Sequence, residues 1–171
     1  MAHALLPQGH GEPILVVEDD PAVRASMVAL LALWHYQVTQ AGDGEEALDW
    51  LLRERGQVDL IISDVIMPRL GGIGLVKALR QNGVRTPVIL MSGHAGGEDR
   101  AGLEDAGVAA WLDKPPSTWL LAKAVAQALE NQTEMDVDIH APNGLGSRHP
   151  ALAALMTLFM LSLAGIPPLA G

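Results

Sequence analysis

The sequence predicts an α/β domain of flavodoxin-like (βα)5 architecture, a three-layer sandwich whose parallel sheet has the strand order 2-1-3-4-5. Short predicted strands, four of them apolar runs, alternate five times with segments of helical periodicity. Several of these runs are apolar at every position, as expected for strands of a parallel sheet that is covered on both faces. Polar side chains stand directly after the runs, where open α/β sheets bind their ligands.

The first strand is predicted at Ile14 to Val17, and the first helix begins after it. Asp20 and Pro21 follow the strand closely. An acid at this position caps the free amides of a helix, and proline fits the first helical turn. We therefore interpret Asp20 as a cap rather than a ligand, and we expect the helix to reach about Trp34, a packing residue.

The second strand is predicted at Tyr36 to Ala41, and a second helix follows it. Asp43 stands where a capping residue is expected. Apolar residues recur at helical spacing from there to about Arg55. Gly56 comes next and ends the helix, because glycine is the usual residue just past a helix C-terminus.

The third strand, Leu60 to Ile62, leads directly to the carboxylate of Asp64. Pro68 prevents the strand from continuing. Two glycines then allow a tight turn, and a helix is predicted from about Ile73 to Gln81. Taken alone, Asp64 could equally be a helix cap, because aspartates at strand ends often have that role.

The remaining elements complete the alternation of strands and helices. They are a fourth strand, a short helix, a fifth strand and a last helix, predicted at Val88 to Met91, Glu98 to Ala106, Val108 to Leu112 and Ser117 to about Glu130. Each strand is short and apolar, and the last helix is amphipathic. Crossovers of one hand then leave few topologies, of which 2-1-3-4-5 is the one we expect.

Acids, a hydroxyl group and an ammonium group follow four of the five strands. They are Glu18, Asp19, Asp64, Ser92 and Lys114. Because carboxyl ends of parallel strands meet at one edge, these groups should form a site for Mg²⁺ and a phosphoryl group. The motif set spans residues 13–131 and resembles the receiver domain of bacterial two-component response regulators.

The resemblance implies a role for each acid. Asp64 would accept the phosphoryl group, Asp19 would bind Mg²⁺ directly, and Glu18 would bind it through water. The backbone carbonyl of Ile66 would be a further metal ligand. The donor would be a sensor histidine kinase or a histidine phosphotransfer protein. Such a domain is not an enzyme for other substrates, since it catalyses only its own phosphorylation and dephosphorylation.

Three further roles follow from the resemblance. Ser92 would be the switch hydroxyl, Lys114 the lysine that binds the phosphoryl group, and Trp111 the switch aromatic. The family usually has Tyr or Phe at the last position, so Trp111 could instead stay packed. The resemblance also implies a cis bond between Lys114 and Pro115, which proline makes accessible.

Composition limits the other functions that this chain of 171 residues could have. It contains no cysteine, which excludes disulfides, thiol chemistry and cysteine-based zinc sites. Its net charge of −9 argues against a nucleic-acid-binding surface. Residues 1–12 lack a basic region and a long apolar core, so we expect a flexible leader rather than a signal peptide.

The chain beyond the domain divides into a predicted linker, 132–150, and an apolar tail, 151–171. The tail carries no charge and is apolar on every face, which makes it a candidate membrane segment outside the domain. Residues 144–150 and 161–168 resemble a transmembrane stretch of subunit N of respiratory NADH:quinone oxidoreductase. The tail could be a true anchor or an accident of gene fusion.

Two classes of function therefore compete. The first is a phosphorylatable signalling receiver, either a single-domain regulator or the detached end of a hybrid sensor kinase. The alternative is a fragment of a membrane respiratory-chain subunit fused to a receiver, with the tail as its anchor. The matched motifs favour the first. We expect a cytoplasmic protein, with 151–171 as the candidate attachment to the inner face of the membrane.

Overall fold

The structure is a computed structural model that describes residues 6–53, 56–93 and 107–139, with side chains as far as residue 132. This part of the chain forms five strands and four helices. In chain order they are β1 (Pro13–Val17), α1 (Pro21–Leu33), β2 (Gln37–Ala41), α2 (Gly44–Arg53), β3 (Leu60–Asp64), α3 (Gly72–Gln81), β4 (Val88–Ser92), β5 (Val108–Asp113) and α4 (Thr118–Ile139).

The five strands form one sheet in which every pair is parallel. Its order is β2-β1-β3-β4-β5, which confirms the predicted flavodoxin-like topology. Val17 pairs with Ser63, Asp64 with Met91, and Ser92 with Asp113. These registers bring the carboxyl ends of β1, β3, β4 and β5 to one edge of the sheet, which we call the carboxyl edge.

Two apolar clusters lie on opposite faces of the sheet. Along β1, Ile14 and Val16 belong to one cluster, whereas Leu15 and Val17 belong to the other. Side chains of a strand alternate between faces, so a strand that supplies both clusters has no polar face. Residues of β1, β3 and β4 are accordingly almost all buried, which explains the uninterrupted apolar runs of the sequence.

The predicted caps of the first two helices are confirmed. Asp20 accepts hydrogen bonds from the amides of Ala22 and Val23, at 2.8 and 3.0 Å. The bonds from Val23 and Ala22 lower the pKa of the Asp20 carboxyl below its usual value. Asp43 caps α2 in the same way, accepting from two amides of the first turn.

The last helix is longer than the sequence predicted. It runs to Ile139, whereas we expected it to end near Glu130 and a linker to begin at residue 132. Neither glycine nor proline occurs between Glu130 and Pro142, so nothing in the local sequence stops the helix. Residues 132–139 are therefore helical, and the assignment of 132–150 as a linker stays a prediction.

Part of the predicted flexible leader is held against the domain. Leu6 packs on the apolar cluster that contains Ile14. The amide of Gly9 donates to the carbonyl of Trp34 at 2.7 Å, and a side chain at position 9 would collide with the ring of Tyr36. The prediction of a flexible leader is therefore corrected for residues 6–12. The apolar side chain of Leu6 and the absence of a side chain at Gly9 allow this segment to pack closely against the domain.

Several predictions lie outside the described residues. They concern residues 1–5 of the leader, the short helix at 98–106, the linker beyond Ile139, and the apolar tail at 151–171. Within the ranges that are described, no helix combines the length and the apolar character needed to cross a membrane.

Candidate functional site

Three carboxylates meet at the carboxyl edge of the sheet. Glu18 and Asp19 follow β1, and Asp64 is the last residue of β3. One oxygen of each lies within 4.8 Å of the other two. Glu18 is 2% exposed and Asp64 is 8% exposed, whereas Asp19 faces solvent. The structure therefore brings the three predicted acids together, with two of them buried and one accessible.

Lys114, which follows β5, links the two buried acids. Its Nζ atom donates to Oε2 of Glu18 and to Oδ2 of Asp64, both at 2.6 Å. Partial burial acts to lower the pKa of Lys114, but the hydrogen bonds and charges of Asp64 and Glu18 outweigh it and raise the pKa above its usual value. Lys114 is therefore cationic at neutral pH, and it offsets part of the repulsion between the carboxylates.

The backbone around Asp64 positions its carboxylate. The amide of Ile66 donates to Oδ1 of Asp64 at 3.2 Å, and the amide of Val65 donates to the carbonyl of Met91 at 2.9 Å. At Gly72, a Cβ atom would collide with the carbonyl oxygen of Asp64. Only glycine lets the start of α3 approach the end of β3 this closely.

Ser92 and Trp111 have different surroundings. Ser92 is the last residue of β4, 8% exposed, and it directly follows Met91, the register partner of Asp64. Trp111 lies within β5, is partly buried, and packs against the apolar cluster that contains Leu15. This position is compatible with the packing alternative, and the switch role of Trp111 stays a prediction. The bond between Lys114 and Pro115 is cis, as predicted.

Sequence reasoning missed Arg24, which lies one turn into α1. Its guanidinium donates to the carbonyls of Glu18 and Asp19, at 2.5 and 3.4 Å, and to Oε1 of Gln40 at 3.3 Å. The spacing could have indicated this contact, because a long side chain in the first turns of a helix points back towards its N-terminus.

A second arginine that sequence reasoning missed is Arg69, in the loop between β3 and α3. It forms an ion pair with the buried carboxylate of Asp43. Close by, the amide of Gly44 donates to the carbonyl of Leu70 at 3.0 Å. The loop that follows the predicted phosphoacceptor is thereby tied to the start of α2.

The donor set fits Mg²⁺. Hard cations of this size bind carboxylate and carbonyl oxygens and retain several waters. Glu18, Asp19 and Asp64 supply the carboxylates, and the exposed loop at Ile66 can offer its carbonyl. Exposure of Asp19 leaves room for water on the remaining positions. Chemically, the site can hold a divalent cation beside a buried nucleophilic carboxylate.

Comparison with known proteins agrees with this geometry. The family model for the response regulator receiver domain matches residues 14–126. The chain belongs to this family. Receiver domains are signalling domains of two-component systems, and they bind Mg²⁺ at an acidic pocket of the kind formed here by Glu18, Asp19 and Asp64.

Two curated relatives show how much of a longer protein the chain resembles. It is 39% identical over 102 residues to the response regulator MprA of Mycolicibacterium vanbaalenii, covering 60% of this chain and 43% of the relative. The match to MprA of Mycobacterium avium has the same identity and covers 44% of that protein. The chain thus spans less than half the length of these curated relatives.

Solved structures of receiver domains share the fold. The receiver domain of the Francisella response regulator 1452 is 30% identical, with a TM-score of 0.65 over 71% of this chain and 98% of that domain. The receiver domain of a signal transduction histidine kinase from Syntrophus aciditrophicus is also 30% identical, with a TM-score of 0.63 over 71% of this chain and 92% of that chain.

Proposed function

We propose that this receiver accepts a phosphoryl group on Asp64 from a sensor histidine kinase or a histidine phosphotransfer protein, in a reaction that requires Mg²⁺. One observation carries the proposal. The Nζ atom of Lys114 bridges the buried carboxylates of Glu18 and Asp64, while the third acid, Asp19, stays open to solvent. A nucleophile, a cation that can bind phosphoryl oxygens and a metal-binding face therefore converge.

The reaction is an in-line transfer. An oxygen of Asp64 attacks phosphorus, the bond between phosphorus and the histidine nitrogen breaks, and the imidazole takes up a proton as it leaves. The product is an acyl phosphate on Asp64. Mg²⁺, held by Glu18, Asp19, Asp64 and the carbonyl of Ile66, would neutralise charge on the phosphoryl oxygens.

The residues around Asp64 then bind the phosphoryl group that it carries. Lys114 exchanges a carboxylate oxygen for a phosphoryl oxygen, and the hydroxyl of Ser92 donates to another. Such contacts exist only after phosphorylation, so they shift the conformational equilibrium towards the state that makes them. The surface formed by the last strands and helices changes with it, and Trp111 follows if it leaves its packed position.

The proposal also covers the partner and the cellular location of the domain. The net charge of −9 supports a protein partner rather than nucleic acid for this chain. A cytoplasmic location follows from a kinase donor, and attachment to the inner face of the membrane depends on the tail at 151–171. Fusion to a respiratory-chain segment, the alternative, rests on the sequence of that tail alone.

Phosphorylation can be measured directly by intact mass after incubation with acetyl phosphate and Mg²⁺. We expect wild type and Asp49→Asn, which changes an exposed acid of α2, to gain one phosphoryl group. Asp64→Asn should gain none, and EDTA should prevent the gain in wild type. Phosphate on the Asp64→Asn variant, or addition undiminished by EDTA, would refute the proposal.

A further inference from the structure

We propose that Arg24 is a positioning residue for the metal site, fixing the backbone from which Glu18 and Asp19 project. The inference deepens the proposed function and rests on one part of it, the assignment of Mg²⁺ to these acids. Arg24 lies on α1 and contacts neither the carboxylate oxygens of the site nor Lys114 in any hydrogen bond described for it.

The guanidinium group connects two strand ends. Its Nη1 atom donates to the carbonyl of Glu18 at 2.5 Å and to that of Asp19 at 3.4 Å, just after β1. Its Nε atom donates to Oε1 of Gln40 at 3.3 Å, near the end of β2. A planar group with several fixed donors can restrain both segments at once, which a flexible ammonium group does less well.

The same turn is also held by hydrogen bonds of its own backbone amides. The amide of Glu18 donates to the carbonyl of Ala41 at 3.2 Å, and the amide of Asp20 donates to Oε1 of Glu18 at 3.3 Å. Removal of Arg24 would leave the carbonyls of Glu18 and Asp19 without these donors. The turn would then depend on the bonds from the amides of Glu18 and Asp20, and the two carboxylates would lose part of their fixed geometry.

Arg24 and Lys114 differ in the oxygen atoms that they bind. Lys114 binds carboxylate oxygens that a metal ion also needs. Arg24 binds carbonyl oxygens of the same turn, so these contacts occupy no carboxylate oxygen that the cation needs. Outer residues that orient metal ligands commonly have large effects on affinity although they never touch the metal.

Charge and positioning predict opposite effects, which makes the inference testable. Arg24 is a cation close to a cation site, so removal of its charge alone should strengthen Mg²⁺ binding. Loss of positioning should weaken it. We expect positioning to dominate, with Arg24→Ala raising the Kd for Mg²⁺ about 10-fold, the lower end of the range for residues that orient metal ligands.

The experiment is a calorimetric titration of the full-length chain with MgCl₂, well below the melting temperature of each variant. Arg53→Ala is the matched control, because it removes the same charge from an exposed position on α2. Its Kd should equal that of wild type. A Kd for Arg24→Ala that is unchanged or lower than wild type would overturn the proposal.

Arg24→Lys decides the question if the alanine variant does not fold. It keeps the charge and most of the aliphatic stem but loses the planar group with its fixed donors. A raised Kd supports positioning, and a wild-type Kd refutes it. Because Mg²⁺ binding is measured without a phosphodonor, this result is independent of whether Asp64 is phosphorylated. Failure of Asp64 to gain phosphate would refute the proposed function and leave the assignment of Arg24 standing.

Discussion

The two edges of the sheet each hold a cation in several hydrogen bonds, but the partners of those cations differ. At the carboxyl edge, Lys114 donates to the ionisable carboxylates of Glu18 and Asp64. At the opposite, amino edge, Arg80 of α3 donates to three backbone carbonyls. They belong to Val84, Thr86 and Gly107, at 2.7, 3.0 and 3.1 Å, just before β4 and β5 begin.

The pKa shifts of the two cations have opposite directions. Burial, assisted by the nearby charge of Arg85, lowers the pKa of Arg80. Burial also acts to lower the pKa of Lys114, but there the adjacent carboxylates outweigh it. Carbonyl partners cannot change their charge, so these three contacts of Arg80 do not depend on the ionisation of the acceptor. Carboxylate partners can exchange the ammonium group for a metal ion or receive a phosphoryl group, so the contacts of Lys114 can be rearranged.

The comparison predicts that function depends on the carboxyl edge alone. Lys114→Ala should slow phosphorylation by acetyl phosphate about 100-fold, because one preorganised group that binds the developing charge is lost. Arg80→Ala should phosphorylate at the wild-type rate. Time courses of intact mass at saturating Mg²⁺ measure both rates. A slow Arg80 variant would show that the amino edge also contributes to the site.

Stability should depend strongly on the amino edge. Arg80→Ala removes, among the described contacts, the hydrogen bonds of a charged donor to three carbonyls, and we expect the free energy of unfolding to fall by about 2 kcal/mol. Arg85→Ala, an exposed neighbour of the same charge, is the control and should change it by less than about 0.5 kcal/mol. Urea denaturation with Mg²⁺ present gives these values. Equal losses in the two variants would mean that the bonds to the carbonyls contribute little.

A smaller effect, the loss of folding stability at alkaline pH, should distinguish the amino edge from the carboxyl edge. Tyr36 lies just before β2 at the amino edge, and burial, with the nearby charge of Glu12, raises the pKa of its phenol. A raised pKa means that any stability from the neutral phenol is complete below pH 10.0, the ordinary value, and is lost as pH rises through the folded value.

The corresponding variant is Tyr36→Phe, which cannot ionise. Between about pH 9 and 11, wild type should lose more unfolding free energy than the variant, while the two change in parallel from about pH 7 to 9. Urea denaturation across this range measures the difference. Parallel curves over the whole range would show that the phenol has the same pKa in the folded and unfolded chains.

Local sequence determined much of the fold. Apolar runs placed four of the five strands, and the acids Asp20 and Asp43 marked two helix starts that the structure confirms. These features depend on residues within one or two turns of each other, where periodicity and capping chemistry act. Resemblance to receiver domains then selected the acids, which the parallel sheet brings to one edge.

Only the tertiary structure decided how those groups contact each other. Lys114 is 96 residues from Glu18 and 50 from Asp64, so no local pattern specifies that its ammonium group bridges both. The contacts of Arg24 with Gln40 and of Arg69 with Asp43 were likewise missed, because each joins a helix or loop to an element that is its neighbour only after folding. Local propensity acts along the chain, whereas such contacts depend on the packing of the sheet and its helices.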